Sequence, residues 1–162
     1  MTKPERLANI DLYGHAPELL SAAIASFPKE AWRFKPAPNR WSIHEILVHI
    51  ADSEANSFVR CRRAIAEPAK SVMAYDQDAW AMNLNYLLQP AEDAVELFKV
   101  LRRNTYHLIK DLPDEIWANT ISHPENGAMT LDDWLKVYAV HVPDHITQME
   151  HNFTLWQTSQ SK

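Results

Sequence analysis

Glycine is nearly missing from this chain, with two in 162 residues. Glycine serves tight turns, bulges and left-handed backbone, so a sheet-rich or loop-rich fold is hard to build without it. The ten prolines fall mostly between long periodic segments. Scarce glycine and punctuating proline together predict long helices with well-marked connections. The length suits one domain with its own core, so residues 1–162 are read as a single unit.

Helical periodicity supports this. Leu19, Leu20, Ala23, Ile24 and Phe27 recur at three- and four-residue steps in a first helical segment over 4–27. Gly14 and Pro17 are candidate interruptions of it. A second helix should start at Ser42, because Ser42-Ile43-His44-Glu45 has the form of a capping box. Its stripe is Ile43, Ile46, Leu47, Ile50, Phe58, Cys61 and Ile65. Residues 68–75 read as an extended connection and 76–87 as a short helix. Pro90 suits the start of another helix, with Ala94, Val95, Leu97, Phe98, Leu101, Tyr106, Leu108 and Ile109 as its apolar residues. Residues 122–127 read as a connection, with one helical turn near Ile116.

The last helix should begin at Thr130, where Thr130-Leu131-Asp132-Asp133 is a weaker capping box. Its stripe is Leu131, Trp134, Leu135, Tyr138, Val142, Ile146, Met149, Phe153 and Trp156. No segment alternates clearly enough to demand a strand. The expected fold is all-α, a four-helix bundle with long crossing connections and one or two short extra helices.

Composition excludes several functions. The net charge is −5, and the densest basic group, Arg60, Arg62 and Arg63, is short, so nucleic acid is not an expected partner. No run of about 18 apolar residues indicates a membrane span. The N-terminus has no apolar signal core, and the cytoplasm is the expected compartment. The single cysteine, Cys61, excludes an intramolecular disulfide framework and reads as a buried structural thiol.

The chemistry lies in three histidines. His141 and His145 are four residues apart on the last helix, hence on one face. Two imidazoles so placed can grip one ion, though the spacing alone is a weak signal. Both border the apolar stripe, where unpartnered polar groups are costly. A shared metal or hydrogen bonds to Tyr or Asp would satisfy them. His49, on the other capped helix, could meet them at similar depth if both helices enter the bundle from the same end. Pro143, between the paired histidines, should kink the helix.

The segments WSIHEILVHIADSE (41–54) and YAVHVPDHITQME (138–150) resemble the DinB/YfiT superfamily of bacterial four-helix proteins. Trp41-Ser42, His49, and His141 with His145 carry the match, across nearly the whole chain. The resemblance implies an up-down-down-up bundle and a three-histidine site for zinc, nickel or a similar divalent ion. It also implies a homodimer. The implied activity is that of a metal-dependent hydrolase or of a transferase or isomerase using low-molecular-weight thiols.

Three neutral nitrogen donors leave a coordination position open, as catalytic sites do. Such an ion could acidify water for hydrolysis or bind a substrate thiol for S-transfer. Imidazole ligands alone cannot choose the metal. Asp52, Asp144 and Gln148, three residues from a histidine on the same helix, could orient an imidazole or act as base. A solvated or capping role is the commoner one for such residues, and Glu45 is already explained by its cap. Glu54 is left unassigned. Trp41, Tyr75, Trp134 and Tyr138, with Trp80, are candidates to line a pocket, core packing being their ordinary role. His44 is expected to face outward, and His15, His107, His123 and His151 to be surface or hydrogen-bonded residues.

A small-molecule substrate is thus the expected partner of a metal-dependent enzyme. A non-catalytic metal- or ligand-binding bundle is the alternative. A third reading, histidines merely packed, predicts that they hydrogen-bond to one another.

Overall fold

The computed structural model describes residues 1–161. Four long helices form the frame: α1 (Lys3–Ala25), α2 (Ile43–Ala66), α4 (Ala91–Ile109) and α5 (Leu131–Gln160). A short α3 (Gln77–Asn83) lies between α2 and α4, and strands β1 (Thr120–His123) and β2 (Gly127–Thr130) precede α5.

Three of the long helices start on complete capping boxes. Ser42 with Glu45 opens α2, Thr130 with Asp133 opens α5, and Thr2 with Glu5 opens α1. In each, the side chains satisfy helix N–H groups that lack a partner in the first turn. Pro90 stands at the N-cap of α4. The short helix expected over 76–87 is split: α3 stops at Asn83, Asn85 turns left-handed (φ 53°), and a single 3-10 turn follows at Tyr86–Leu88.

Contacts along the helices give their directions. Arg6 reaches Asp132 and Tyr13 meets Trp134, so α1 and α5 run parallel. Glu54 meets Arg102 and Arg62 meets Asn104 and Thr105, so α2 and α4 run parallel too. Trp41 meets Asn152, Ser53 meets His141 and Arg60 meets Tyr138, so α2 and α5 run antiparallel. The bundle is therefore up-down-down-up. The condition of same-end entry for α2 and α5 is thus not met. The histidines still meet because α5, 30 residues long, passes the start of α2 and carries His141 and His145 near its middle.

Helix α1 is not interrupted at Gly14 or Pro17. A Cβ on Gly14 would lie 2.6 Å from Cε2 of Tyr106, so glycine lets α4 approach closely. Pro17 deprives the Tyr13 carbonyl of its helical donor, and Nη1 of Arg102 on α4 stands 3.5 Å from that oxygen.

Two other expectations fail. Residues 120–130 form an antiparallel hairpin, Thr120 pairing with Thr130 and His123 with Gly127. The strands have four residues each, too short for alternation to show. Gly127 (φ 70°) supplies left-handed backbone at the turn. On α4 the buried face is Ala91, Val95, Phe98, Arg102, Thr105 and Ile109, while Leu97 and Leu108 are exposed. A charged residue occupies a core position, so hydrophobicity alone misplaced the stripe.

No helix among the described residues is long and apolar enough to cross a membrane.

Candidate metal centre

His49 lies two turns into α2, and His141 and His145 lie one turn apart on α5. The structure brings all three together, with one ligand atom of each within 4.8 Å of the others. Ring centroids are 5.4 Å apart for His49 and His141, 4.9 Å for His49 and His145, and 4.5 Å for the α5 pair. The rings make no hydrogen bonds to one another.

Their remaining bonds are few. His145 Nδ1 lies 3.0 Å from Oε1 of Gln148, an oxygen that can only accept. That bond puts the proton on Nδ1 and leaves Nε2 with a free lone pair. His141 Nε2 lies 3.3 Å from the Ser53 hydroxyl. His49 Nδ1 is buried with no partner.

Burial holds all three imidazoles neutral. It lowers His49 to about 3, with His145 adding to the effect. Burial, then His145, His49 and Arg102, press His141 well below its ordinary value. Burial also lowers His145, against the pull of Gln148 and Asp144. Neutral imidazole is the form that ligates a metal.

The residues therefore fit a divalent ion. Three neutral donors converge, one has a buried orphan nitrogen, and mutual hydrogen bonds, the signature of merely packed histidines, do not form. Such an orphan inside a protein is costly unless something meets it.

The other sequence candidates divide. Gln148 touches the triad. Trp41 packs against His49 at 4.6 Å between centroids, its carbonyl held by Asn152 at 2.9 Å. The Tyr138 ring is 5.9 Å from that of His141, and its hydroxyl accepts from Arg60 at 3.0 Å. Tyr75 packs against Trp80 with the rings tilted and their centroids 4.5 Å apart, and burial pushes its hydroxyl up to about 12, with Ser53 pulling the other way.

Asp52, Asp144 and Trp134 do not meet the triad. Asp52 accepts from the Tyr86 hydroxyl at 2.5 Å. Asp144 is exposed, without a bond to any of the three rings. Trp134 is buried in the core between Tyr13 and Tyr138, and so does not line the cleft. Its position one turn past the cap faces the bundle interior. His44 is buried rather than outward, its Nε2 2.9 Å from the Gln89 carbonyl.

Ser53 was missed. It lies four residues after His49, one helical turn along the same face, and that spacing could have found it.

A cleft of about 270 Å³ reaches the centre at His145, lined also by Asn39, Arg40, Trp41, Gln77, Asp78 and Gln148. Larger hollows, of about 540 Å³ beside Met1 and Trp117 and 610 Å³ beside Gly14 and Tyr106, do not touch the triad. The chemistry, not the size, selects the cleft.

Residues 12–149 match the sequence profile of the DinB superfamily. The chain belongs to that superfamily. Among the DinB relatives it resembles is a protein of Oceanobacillus iheyensis named "Putative metal-dependent hydrolase". The two are 27% identical over 133 residues, covering 82% of this chain and 77% of the relative. YfiT of Bacillus subtilis, which bears the same descriptive name, is 24% identical over 110 residues, covering 67% of this chain and 62% of YfiT. A solved structure of YfiT, described as a "probable metal-dependent hydrolase with an unusual four-helix bundle topology", superposes with a TM-score of 0.86. It is 21% identical and covers 94% of this chain and 87% of YfiT. That likeness confirms the bundle. The DinB relatives' names and the three-histidine cluster together support a metal-dependent enzyme family.

Proposed function

We propose that this protein is a metal-dependent hydrolase of a small molecule, with one zinc or nickel ion held by His49, His141 and His145. The observation that carries the reading is the convergence of three neutral imidazoles, His49 buried and His141 and His145 half-buried, that leave one another's nitrogens unbonded beside an open cleft. An ion held there supplies Lewis acidity, by which such ions acidify water or a thiol.

The chain's own residues do the rest. Gln148 fixes the tautomer of His145. Trp41 covers His49 and narrows access of water from the cleft side. Ser53, beside His141, offers a hydroxyl that can donate to or accept from a substrate. Asp78, on the cleft wall, is the acidic group placed to meet a substrate proton.

Transfer of a low-molecular-weight thiol is the second reading. One feature favours it: among the described residues no carboxylate hydrogen-bonds to the triad, and a metal-acidified thiol needs less help from a base. The proposal includes a homodimer and a cytoplasmic setting, which sedimentation and cell fractionation would test.

The deciding experiment measures metal content of tag-free protein beside a His141→Ala/His145→Ala variant, then screens esters, amides and thiol acceptors. About one equivalent of zinc or nickel, lost in the variant, is expected, with hydrolysis of at least one substrate that also disappears. A parent that takes up no zinc or nickel on incubation would overturn the metal-centre reading. Thiol consumption without hydrolysis would select the second.

A further inference from the structure

One level deeper in the bundle lies a second polar cluster that the proposed chemistry does not use. Arg102 and Glu54 are both buried, at 0% and 1% side-chain exposure. Arg102 donates to Glu54 Oε2 from Nε at 3.0 Å and from Nη2 at 2.6 Å. Tyr13 donates to the other carboxylate oxygen at 2.6 Å, and the guanidinium stacks 3.9 Å over the Tyr13 ring.

Stability alone explains such a pair poorly. A buried ion pair often does no better than apolar side chains of similar volume, because both charges leave water. The remaining bonds of Arg102 are more informative. Nη1 donates to the Tyr138 carbonyl at 3.1 Å and faces the Tyr13 carbonyl at 3.5 Å. The Tyr13 carbonyl is the one that Pro17 leaves without a helical donor in α1, and the Tyr138 carbonyl is next to that of Ala139, which Pro143 leaves without one in α5. A proline removes one helical hydrogen bond and crowds the preceding turn. Tyr138 is one helical turn before His141, and Glu54 is on the helix that carries His49.

We propose that Arg102, oriented by Glu54, is a positioning residue for the metal centre. It grips the α5 main chain at Tyr138 and so fixes where His141 stands relative to His49 and His145. The inference rests on the metal-centre reading above. The planar guanidinium suits the task, since its fork of N–H groups spans a carboxylate and main-chain oxygens together. A lysine ammonium keeps the charge but loses that fork.

The test compares the parent with Arg102→Lys and with Glu54→Leu/Arg102→Met. Readouts are the unfolding midpoint, zinc affinity by chelator competition, the cobalt absorption spectrum, and the histidine ring resonances of the metal-free protein. In the double variant the unfolding midpoint should stay near the parent's, while zinc binds at least tenfold more weakly and the cobalt bands shift. Arg102→Lys should show the same metal defect, which keeps the test decisive should the double variant not fold. In both, the His141 ring resonances should move without metal. Folded variants with parental zinc affinity and unmoved His141 resonances would overturn the proposal. A parent that binds no metal would defeat the metal-centre reading instead, and the metal-free resonances would still decide whether Arg102 positions His141.

Discussion

Two polar clusters sit inside one bundle, and helix α2 contributes to each, with His49 to one and Glu54 to the other five residues on. Around Glu54 the carboxylate is met: one oxygen accepts from Tyr13, the other twice from Arg102. Around His49 three neutral rings converge without bonding to one another, and one nitrogen is orphaned. A low dielectric rewards a satisfied network and penalises an unsatisfied one. The first cluster is therefore framework, closed to ligands. The second has donor capacity that only a bound group can use.

If that contrast is right, the largest effect should come from opening the closed cluster. Arg102→Met alone strands the Glu54 carboxylate in the core, and breaking such a pair typically costs about 3–5 kcal/mol. Denaturant unfolding should show that loss. A loss under 1 kcal/mol would mean that water reaches Glu54 and that the cluster is not closed. The converse operation is to fill the open cluster. Zinc at 100 times its Kd should add about 2.7 kcal/mol to the parent's unfolding free energy. It should add nothing to His141→Ala/His145→Ala, and equal stabilisation of both would place the ion elsewhere.

Gln148 stands on the cleft side of the open cluster and gives the triad its one side-chain amide contact. Removing a group that orients a metal-binding histidine typically weakens binding about 10–100-fold. Gln148→Leu should do so with little change in metal-free stability. Unchanged zinc affinity would show that His145 is oriented by packing alone.

What could be read in the sequence follows physical range. Capping boxes and apolar stripes are local, and Ser42, Thr130 and most of the α2 and α5 faces stand where periodicity put them. The histidine pair was legible because its members share a helix face, and His49 because the segments over 41–54 and 138–150 resemble the DinB/YfiT superfamily. Helix direction was not in the spacing, so the same-end argument for depth failed although the residues met. Arg102 was invisible for a different reason. Its steps from Phe98 and to Thr105 are those of a core position, but a charge is read as solvated until its buried partner is known. The hairpin over 120–130 was too short to show a period.

The smallest expected effect tests a closed network nearer to water. Glu45 accepts from the Ser42 amide and hydroxyl, each at 2.8 Å, and from Lys35 at 2.9 Å. Burial alone would raise its carboxyl, but the Ser42 and Lys35 bonds outweigh it, and the group lies below its ordinary value of 4.5. A carboxyl depressed in the folded state contributes stability above its unfolded value and loses it as the pH falls through the folded one. The box should therefore stabilise α2 fully at neutral pH and progressively less below about 4.5. Ser42→Ala should cost about 1 kcal/mol near pH 7, as the loss of a cap usually does, and the gap to the parent should narrow on acidification. A gap that held constant to pH 3 would show that the serine acts only by accepting from the Glu45 main-chain amide and by packing, leaving the carboxylate no part in closing the network.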